Sequence, residues 1–525
     1  MITYPYLKLF SKLALALYPV LVYSAGLPDQ LQVPLRPTFD VHSGSSQPPG
    51  HNKSQVGDEA TYHIATHPST SFSDYQIRVS STGSSLCDPD VRQVSGYLDI
   101  SDGRHLFFWF FEARNSPETA PLMLWLNGGP GCSSIGNGLL FEHGPCLINP
   151  ADKGNSTVYN GFSWNEVANI IYLDQPVGTG YSYSSDGSRV NTHVDLAKDV
   201  YAFLQIFYHR YPKYASLPFH VAAESWGGHY GPAIANLIYR KNKDLLASSP
   251  TGAVPINLHS VIIANGFTDP VAQYEAHTDY VCGGAPYPVF NPNGPVCIAM
   301  RATTPVCLGL LSACYKYPSR STCMSAQRIC WDVLMPPPFL RPLSSKNQYD
   351  IREECEPSES QLCYIEFDWI GAWLDQPTVK KAIGAEVERK FTDCDITIQY
   401  DFNSQAQAVQ ESSAFLPELV NGGVRLLAFA GDVDAACNYI GIERWMTKLG
   451  HNFHAEFEQS PSLFWQPQGS NGPAGVVRTA GGDGMTSGNV TFIRVYEAGH
   501  MAPHDQPEAS LDMISRWLKD LPFVD

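Results

Sequence analysis

The sequence is short of positive charge. Its 525 residues include 34 Lys and Arg against 51 Asp and Glu, which gives a formal net charge of -17 at pH 7. A protein that binds nucleic acid would present a basic face, so this composition argues against a nucleic-acid partner. Charged residues make up only 16% of the chain and hydrophobic residues 44%, which excludes the disordered class and indicates a globular protein.

Long apolar runs are missing beyond the N-terminus. No later stretch reaches the roughly 18 uninterrupted apolar residues that indicate a membrane-spanning helix. The C-terminal segment Trp517–Asp525 has no hydrophobic tail for a lipid anchor. We therefore expect no membrane anchor in the mature protein.

The one apolar run near the start has the pattern of a secretory signal peptide. Within residues 1–25, Lys8 and Lys12 precede the apolar run Leu13–Val22, and small residues follow it. The alternative, a membrane anchor, is disfavoured because the run is short and Pro19 interrupts it. Residues 26–85 are rich in Ser, Thr, Pro, Gly and His and lack long apolar periodicity, so they predict a pro-segment or flexible arm before a catalytic domain over 86–525.

Cysteine is plentiful, but its spacing excludes common metal sites. The chain has thirteen cysteines and none of the spacings in the Cys-rich region is Cys-x2-Cys, so we expect disulfides, at least one unpaired thiol, and no metal site at these cysteines. Glycosylation sequons begin at Asn52, Asn155 and Asn489. These features predict an extracellular protein, with the vacuole as the alternative, and leave the oligomeric state open.

Apolar segments alternate with helical patterns over much of the chain. This alternation predicts an α/β fold with a mostly parallel central sheet and helices on both faces. The predicted strands are 121–126, 169–173, 219–222, 261–264, 425–429 and 492–496, with a helix over 193–208 and a hairpin of 94–100 and 105–111 at a sheet edge. Residues 270–365 break the pattern with many prolines and cysteines, and they predict a loop-rich, disulfide-stapled lid insertion.

Three segments that follow predicted strands carry candidate chemistry. Ser225 lies between a strand and a helical pattern among small residues, as in a nucleophile elbow, although Ala223 replaces the first glycine of that motif. The alternative is an ordinary turn with an incidental serine. An acidic segment near Asp434 and a histidine, His500, each follow a later strand, and the chain order Ser, Asp, His is the α/β-hydrolase order.

A glycine-rich loop, Asn127–Ser134, follows the strand at 121–126. Its glycines would let backbone N–H groups approach a ligand, as in an oxyanion hole or an anion-binding nest. A phosphate-binding loop is disfavoured because the segment has no lysine.

Four motifs together resemble those of one enzyme family. They are Asn127–Ser134, Glu224–Tyr230, Gly431–Asn438 and Gly499–Pro503, in that order. On these motifs the chain resembles serine carboxypeptidases of the carboxypeptidase Y type, and most closely secreted or vacuolar fungal members, from about Cys87 to Leu521. The resemblance implies an α/β-hydrolase fold and release of single amino acids from a free peptide C-terminus through an acyl-enzyme, best at acidic pH. It implies no metal and no organic cofactor.

The resemblance also implies roles for individual residues. Ser225 matches the nucleophile, His500 the base and Asp434 the acid of the triad, with Asp432 as a competing acid two residues earlier. The amides of Gly129 and Trp226 match the oxyanion hole, although tyrosine is more usual than tryptophan after the serine. Cys437 and Met501 match the substrate pocket, Cys437 as the unpaired thiol, and Cys132 is expected to pair with Cys394. His229 is expected to be structural.

By the same resemblance, Asn127, the Gly128 amide, Glu142 and Glu224 are expected to recognise the substrate's C-terminal carboxylate. Two carboxylates beside a bound carboxylate repel it unless they share a proton, so binding should weaken as the pH rises. The spacing before Glu142 differs by about one residue from the familiar pattern, and the alternative is a solvent-exposed glutamate.

Two other functions stay open from the sequence. One is a carboxypeptidase-like acyltransferase, which would pass the acyl group to an alcohol. The other is a non-catalytic secreted binding protein on the same fold. Peptides or proteins with a free C-terminus are the partners that the main hypothesis implies.

Overall fold

The structure is a computed structural model that describes residues 62–80, 86–101, 103–247, 252–335, 345–356, 358 and 362–524. The predicted signal peptide over 1–25, the first part of the predicted arm and the sequon at Asn52 lie outside these residues. The described strands, in chain order, are β1 (Tyr62–Thr66), β2 (Tyr75–Ser80), β3 (Gln93–Ile100), β4 (Arg104–Phe111), β5 (Leu122–Leu126), β6 (Cys146–Ile148), β7 (Thr157–Tyr159), β8 (Asn169–Leu173), β9 (Tyr183–Ser184), β10 (Phe219–Glu224), β11 (Leu258–Ala264), β12 (Arg425–Gly431), β13 (Leu463–Trp465), β14 (Gly475–Ala480) and β15 (Val490–Val495).

Thirteen of these strands form one sheet. Its order is β1-β2-β3-β4-β8-β5-β10-β11-β12-β15-β14-β13, with β9 paired to β4, while β6 and β7 pair with each other. The central run β8-β5-β10-β11-β12-β15 is parallel. Antiparallel strands flank it on both sides. The mostly parallel sheet predicted from the sequence is therefore confirmed.

Helices cover both faces of the sheet. The described α-helices are α1 (His193–Arg210), α2 (Gly227–Ala247), α3 (Pro270–Asp279), α4 (Pro295–Lys316), α5 (Arg320–Ile329), α6 (Glu366–Leu374), α7 (Pro377–Ile383), α8 (Ile396–Ser404), α9 (Leu416–Asn421), α10 (Tyr439–Lys448), α11 (His454–Gln459), α12 (Ala502–Asp505) and α13 (Pro507–Leu518). Among the described residues, π-helical segments span Ser134–His143, Tyr280–Gly284 and Cys330–Leu334.

Strand β5 shows why its sequence is apolar throughout. Leu122, Leu124 and Leu126 face one core, which includes residues of α1 and α2. Met123 and Trp125 face the other, which includes residues of α6, α13 and the π-helix Ser134–His143. A strand buried on both faces has no polar position to alternate with.

The predicted flexible arm is wrong for residues 62–80. Strand β1 pairs with β2, and β2 pairs with β3, so these residues extend the sheet and the β3–β4 hairpin does not lie at its edge. Ile77 and Val79 are buried, and Arg78 forms a salt bridge of 2.6 Å with Asp99 of β3. The short alternation of apolar and polar residues in β2 is a half-buried strand pattern, but polar turns on either side hid it.

The first part of the lid insertion, residues 270–334, is mostly helical, so the expectation of a loop-rich insertion is wrong for this part. Helix α4 carries three cysteines, each joined by a disulfide to another part of the insertion: Cys297–Cys282, Cys307–Cys330 and Cys314–Cys323. A fourth disulfide joins Cys355 and Cys363 of the same insertion. By length and composition alone α4 would be able to cross a membrane, and it is the one helix among the described residues that meets this test.

Candidate active site

The candidate residues meet at the carboxyl ends of the parallel strands. Asn127 follows β5, Ser225 follows β10, Asp434 lies just beyond β12, and His500 follows β15. Carboxyl ends of parallel strands lie at the same edge of a sheet, which is where open α/β folds bind ligands. A cavity of about 530 Å³ opens there, and Asn127, Ser225 and His500 are among its lining residues.

Ser225 occupies a sharp turn between β10 and α2. Its φ of 61° lies in the left-handed region, which is rare for a residue with a side chain. The Ser225 N–H donates to the Ala264 carbonyl at 3.0 Å, and its own carbonyl accepts from Phe267 at 2.7 Å. A Cβ at Gly227 would lie 2.8 Å from the Ala223 side chain, so the turn depends on small residues. These contacts hold a strained serine at the end of a strand.

Asp434 and His500 form a buried hydrogen-bonded pair. Asp434 Oδ2 lies 2.7 Å from His500 Nδ1, and the Asp434 carboxyl also accepts from Asn265 at 2.8 Å and from the Ala436 N–H at 2.8 Å. Asp434 is fully buried. A carboxylate held in this way fixes the orientation of the imidazole.

The competing acid Asp432 points to other partners. Its carboxyl forms a 3.1 Å salt bridge with Arg494 and accepts from the Glu497 N–H at 2.9 Å. The structure therefore brings Asp434, rather than Asp432, to the histidine.

Two backbone N–H groups, those of Gly129 and Trp226, lie beside Ser225. Within the described residues, no protein group accepts a hydrogen bond from the N–H of Gly129 or Trp226. A Cβ at Gly128 would lie 2.4 Å from Trp226 N, so only glycine lets the loop approach this closely. The disulfide Cys132–Cys394, the pairing that the resemblance implies, ties the loop to the segment before α8.

Asn127 bridges two buried carboxyl groups. Its Nδ2 donates to Glu142 at 2.9 Å and to Glu224 at 3.0 Å. Burial raises the pKa of Glu142, and burial together with the neighbouring Glu142 charge raises the pKa of Glu224 well above its usual range. Glu142 is 1% exposed, so the alternative of a solvent-exposed glutamate is wrong.

Sequence reasoning missed His193, which holds the Trp226 ring. The Trp226 indole donates from Nε1 to His193 Nε2 at 3.0 Å, and its ring packs edge-on against Trp331 of the lid at 5.2 Å. His229 stacks on His193 and contacts Ser412 Oγ at 2.7 Å. Burial lowers the pKa of His229 to about 3 and that of His193 well below its usual range, so both rings are neutral.

The remaining cavity wall combines a thiol, a thioether and the lid. Cys437 and Met501 both line the cavity, and Cys437 is the one unpaired cysteine of the thirteen, all of which are described. Burial raises the pKa of the Cys437 thiol well above its usual range, with added contributions from the charges of Asp434 and Glu224. Lid residues that line the cavity are His277, Trp331, Met335, Gln348, Tyr349 and Leu362.

The two described sequons differ in exposure. Asn155 is exposed, whereas Asn489 is partly buried with its side chain near Gly481. No group of three or more His, Cys, Asp or Glu side chains among the described residues is arranged to hold a metal ion.

Comparisons with known proteins agree on one family. A family model described as serine carboxypeptidase matches residues 85–520. Carboxypeptidase Y of Candida albicans is 39% identical over 447 residues, which cover 85% of this chain and 76% of that protein. Carboxypeptidase Y of Komagataella phaffii is 39% identical over 463 residues, covering 88% of this chain and 82% of that protein. In fold, the crystal structure of a prohormone-processing carboxypeptidase from Saccharomyces cerevisiae matches with a TM-score of 0.69 and 22% identity, covering 84% of this chain and 94% of that one.

Proposed function

This chain belongs to the serine carboxypeptidase family, and we propose that Ser225, Asp434 and His500 carry out its reaction. The protein is a hydrolase that acts on peptides with a free C-terminus. The proposal for the three residues rests on the buried 2.7 Å pair of Asp434 and His500 and on the cavity that His500 and Ser225 share.

The reaction follows the acyl-enzyme scheme. His500 accepts the Ser225 proton as the hydroxyl oxygen attacks the last peptide carbonyl, and Asp434 stabilises the imidazolium that forms. The N–H groups of Gly129 and Trp226 stabilise the oxyanion. His500 then protonates the leaving amine, and water repeats the sequence to release the shortened peptide.

The observation that carries the exopeptidase assignment is the Asn127 bridge between Glu142 and Glu224. With the Gly128 amide, this group would bind the substrate's C-terminal carboxylate. The pKa values of this carboxyl pair are raised, so the pair keeps a proton at pH values where an ordinary carboxyl group has lost it. In acid, the protonated carboxyl group donates a hydrogen bond to the substrate carboxylate. As the pH rises the proton is lost and like charges meet, so peptide binding weakens. Cys437 and Met501 would contact the leaving residue.

The proposed organisation places a signal peptide at residues 1–25, an arm that ends before β1, and a catalytic domain that includes β1, β2 and residues 86–525. Six disulfides favour passage through the secretory pathway, and the proposed destination is extracellular rather than the vacuole. Asn52, Asn155 and Asn489 stay proposed glycosylation sites.

A matched pair of substrates tests this function. An N-blocked dipeptide with a free C-terminus should be cleaved at least about 100-fold more efficiently than its C-terminal amide, because the amide leaves buried polar groups unpaired. Ser225→Ala should abolish both activities, and a phosphonylating reagent should label Ser225 in the wild type. Equal cleavage of the two peptides would contradict the assignment, as would acyl transfer to an alcohol in place of hydrolysis.

A further inference from the structure

A second pair of buried carboxyl groups lies behind the glycine loop. Asp174 directly follows β8 and is fully buried. Asp393 is 9% exposed and precedes Cys394, whose disulfide partner Cys132 belongs to the loop. Neither aspartate has a role in the mechanism given above.

The two carboxyl groups differ in how many hydrogen bonds they accept. Asp174 accepts from Ser133 Oγ at 2.6 Å, from the Ile135 N–H at 3.3 Å and from the Tyr181 N–H at 3.1 Å. For Asp393, the described residues offer one N–H donor, Asn137 Nδ2 at 3.1 Å. A carboxylate with several donors keeps its charge more easily than one with a single donor, so Asp174 ionises first and Asp393 holds the proton.

The charged groups near Asp393 act in the same direction. Burial raises the pKa of Asp393 to about 8, with further contributions from the negative charges of Asp174, at the end of β8, and Asp368 on α6. Burial also raises the pKa of Asp174, to about 6. Asp393 therefore stays neutral in acid, and the charges of Asp174 and Asp368 oppose its ionisation.

Ser133 connects both aspartates to the loop. Its hydroxyl donates to Asp174, and its N–H donates to the Asp393 carbonyl at 2.7 Å. Asn137 Nδ2 donates both to the Ser133 carbonyl at 3.0 Å and to the Asp393 carboxyl. Ser133 also caps the π-helix that carries Asn137, a residue of the cavity wall, and Glu142.

We propose that Asp393 is a positioning residue whose bound proton keeps the glycine loop and Asn137 in place at the active site. When Asp393 ionises, its charge repels that of Asp174. The repulsion separates the end of β8, which carries Asp174, from the segment that carries Asp393, and Ser133 is bonded to both. The loop then loses its fixed position, and the oxyanion donors beside Ser225 lose their alignment. A shift of this kind lowers kcat, because the oxyanion is bound only during the reaction.

The substrate for the test is an N-blocked amino-acid ester without a free carboxylate. Such an ester does not need the Glu142–Glu224 pair, so its pH dependence is separate from carboxylate recognition. Asp393→Asn keeps an acceptor for Asn137 and cannot ionise. Relative to wild type, its kcat should be unchanged at about pH 5 and higher by at least about threefold at about pH 8.5, with similar KM.

A second variant, Asp393→Ala, separates positioning from a general loss of structure. Asp393→Ala removes the acceptor for Asn137, so its kcat should fall at every pH. In acid, the conservative variant Asp393→Asn should keep the wild-type kcat that Asp393→Ala loses. Parallel kcat profiles for wild type and Asp393→Asn would overturn the proposal, as would a uniform loss in Asp393→Asn.

Unfolding gives a readout that does not depend on the proposed function. Because the pKa of Asp393 is raised on folding, its contribution to stability is complete below about pH 4 and is lost as the pH rises to about 8. In a Ser225→Ala background, the urea midpoint should fall over this range, and Asp393→Asn should reduce that fall. If the urea midpoint of Asp393→Asn fell with pH as steeply as that of the protein with Asp393, the proposal would be overturned, even if catalysis occurs as proposed.

Discussion

Asp434 Oδ2 accepts a hydrogen bond from His500 Nδ1 at 2.7 Å, and no solvent reaches the carboxyl group. We predict that Asp434→Asn lowers kcat by about 10⁴-fold, because the amide favours the wrong imidazole tautomer. The KM should change little, since the carboxyl does not line the cavity. Steady-state kinetics with a blocked dipeptide would measure both constants.

Asp432→Asn is the matched control for this change. Asp432 lies two residues away but bonds to Arg494, so its replacement should lower kcat by less than about tenfold. Similar losses in both variants would contradict the assignment of the triad acid.

The Trp226 ring should set the size of residue that fits beside Ser225. Trp226→Phe removes one ring and the N–H that bonds His193, which frees space in the cavity. We compare kcat/KM for a substrate with a large residue on the acyl side of the scissile bond with kcat/KM for one with a small residue there. The ratio of the two values should rise by up to about tenfold. A series of blocked dipeptides that differ only at that residue would measure it.

His193→Gln is a control for the hydrogen bond between His193 and Trp226, because the glutamine side-chain oxygen can still accept from the indole N–H. It should keep the wild-type preference, whereas His193→Leu should weaken it. An unchanged preference in Trp226→Phe would show that the ring does not shape the pocket.

Buried Cys437 should react slowly with reagents that need a thiolate. Its pKa is raised well above the usual range by burial, so very little thiolate is present at neutral pH. We expect iodoacetate to label Cys437 at least about 100-fold more slowly in the native protein than in urea. Mass spectrometry of timed samples would follow the modification, and rapid native labelling would contradict the burial of this thiol.

Gly138 should be required for carboxylate recognition. A Cβ there would lie 2.1 Å from Trp125 Nε1 and 2.8 Å from Asn127 Oδ1, and the Gly138 N–H donates to that same oxygen at 3.0 Å. Gly138→Ala should therefore destabilise the protein by about 1–3 kcal/mol and raise the KM for peptides. Thermal unfolding and peptide kinetics would test the two effects.

Gly371→Ala provides the comparison. Gly371 lies in α6, and an added Cβ would have no neighbour within 4 Å. The free energy of unfolding of this variant should exceed that of wild type by up to about 1 kcal/mol, and its KM should be unchanged. A destabilised Gly371→Ala with an intact Gly138→Ala would contradict the packing argument.

The central sheet was accessible from sequence because its strands are buried on both faces. A run such as Leu122–Leu126 is apolar at every position, and the segments around it alternate with helical patterns. Strand β2 was missed because only Ile77 and Val79 give a strand pattern, between polar turns. The lid helices were missed because prolines and cysteines hid their periodicity, and three disulfides of α4 stabilise them.

The individual residues of the candidate site could be predicted from the sequence, but the contacts between them could not. Motifs identify Ser225 and His500 because each follows a strand in a recognisable segment. Nothing local indicates that His193 supports Trp226, or that Asp393 lies behind the glycine loop near Asp174. These contacts join residues far apart in the chain, so only the folded structure reveals them.

We propose that the Glu142–Glu224 pair binds a substrate carboxylate through a shared proton, and the pH dependence of KM is the decisive test of this proposal. For wild type and a blocked dipeptide, KM should rise by up to about tenfold per pH unit above the raised pKa of the pair. Glu224→Gln cannot ionise, so its KM should be higher in acid but much less dependent on pH. With an ester that lacks a free carboxylate, the two proteins should give similar profiles. A peptide KM that rises equally with pH in wild type and Glu224→Gln would contradict the account.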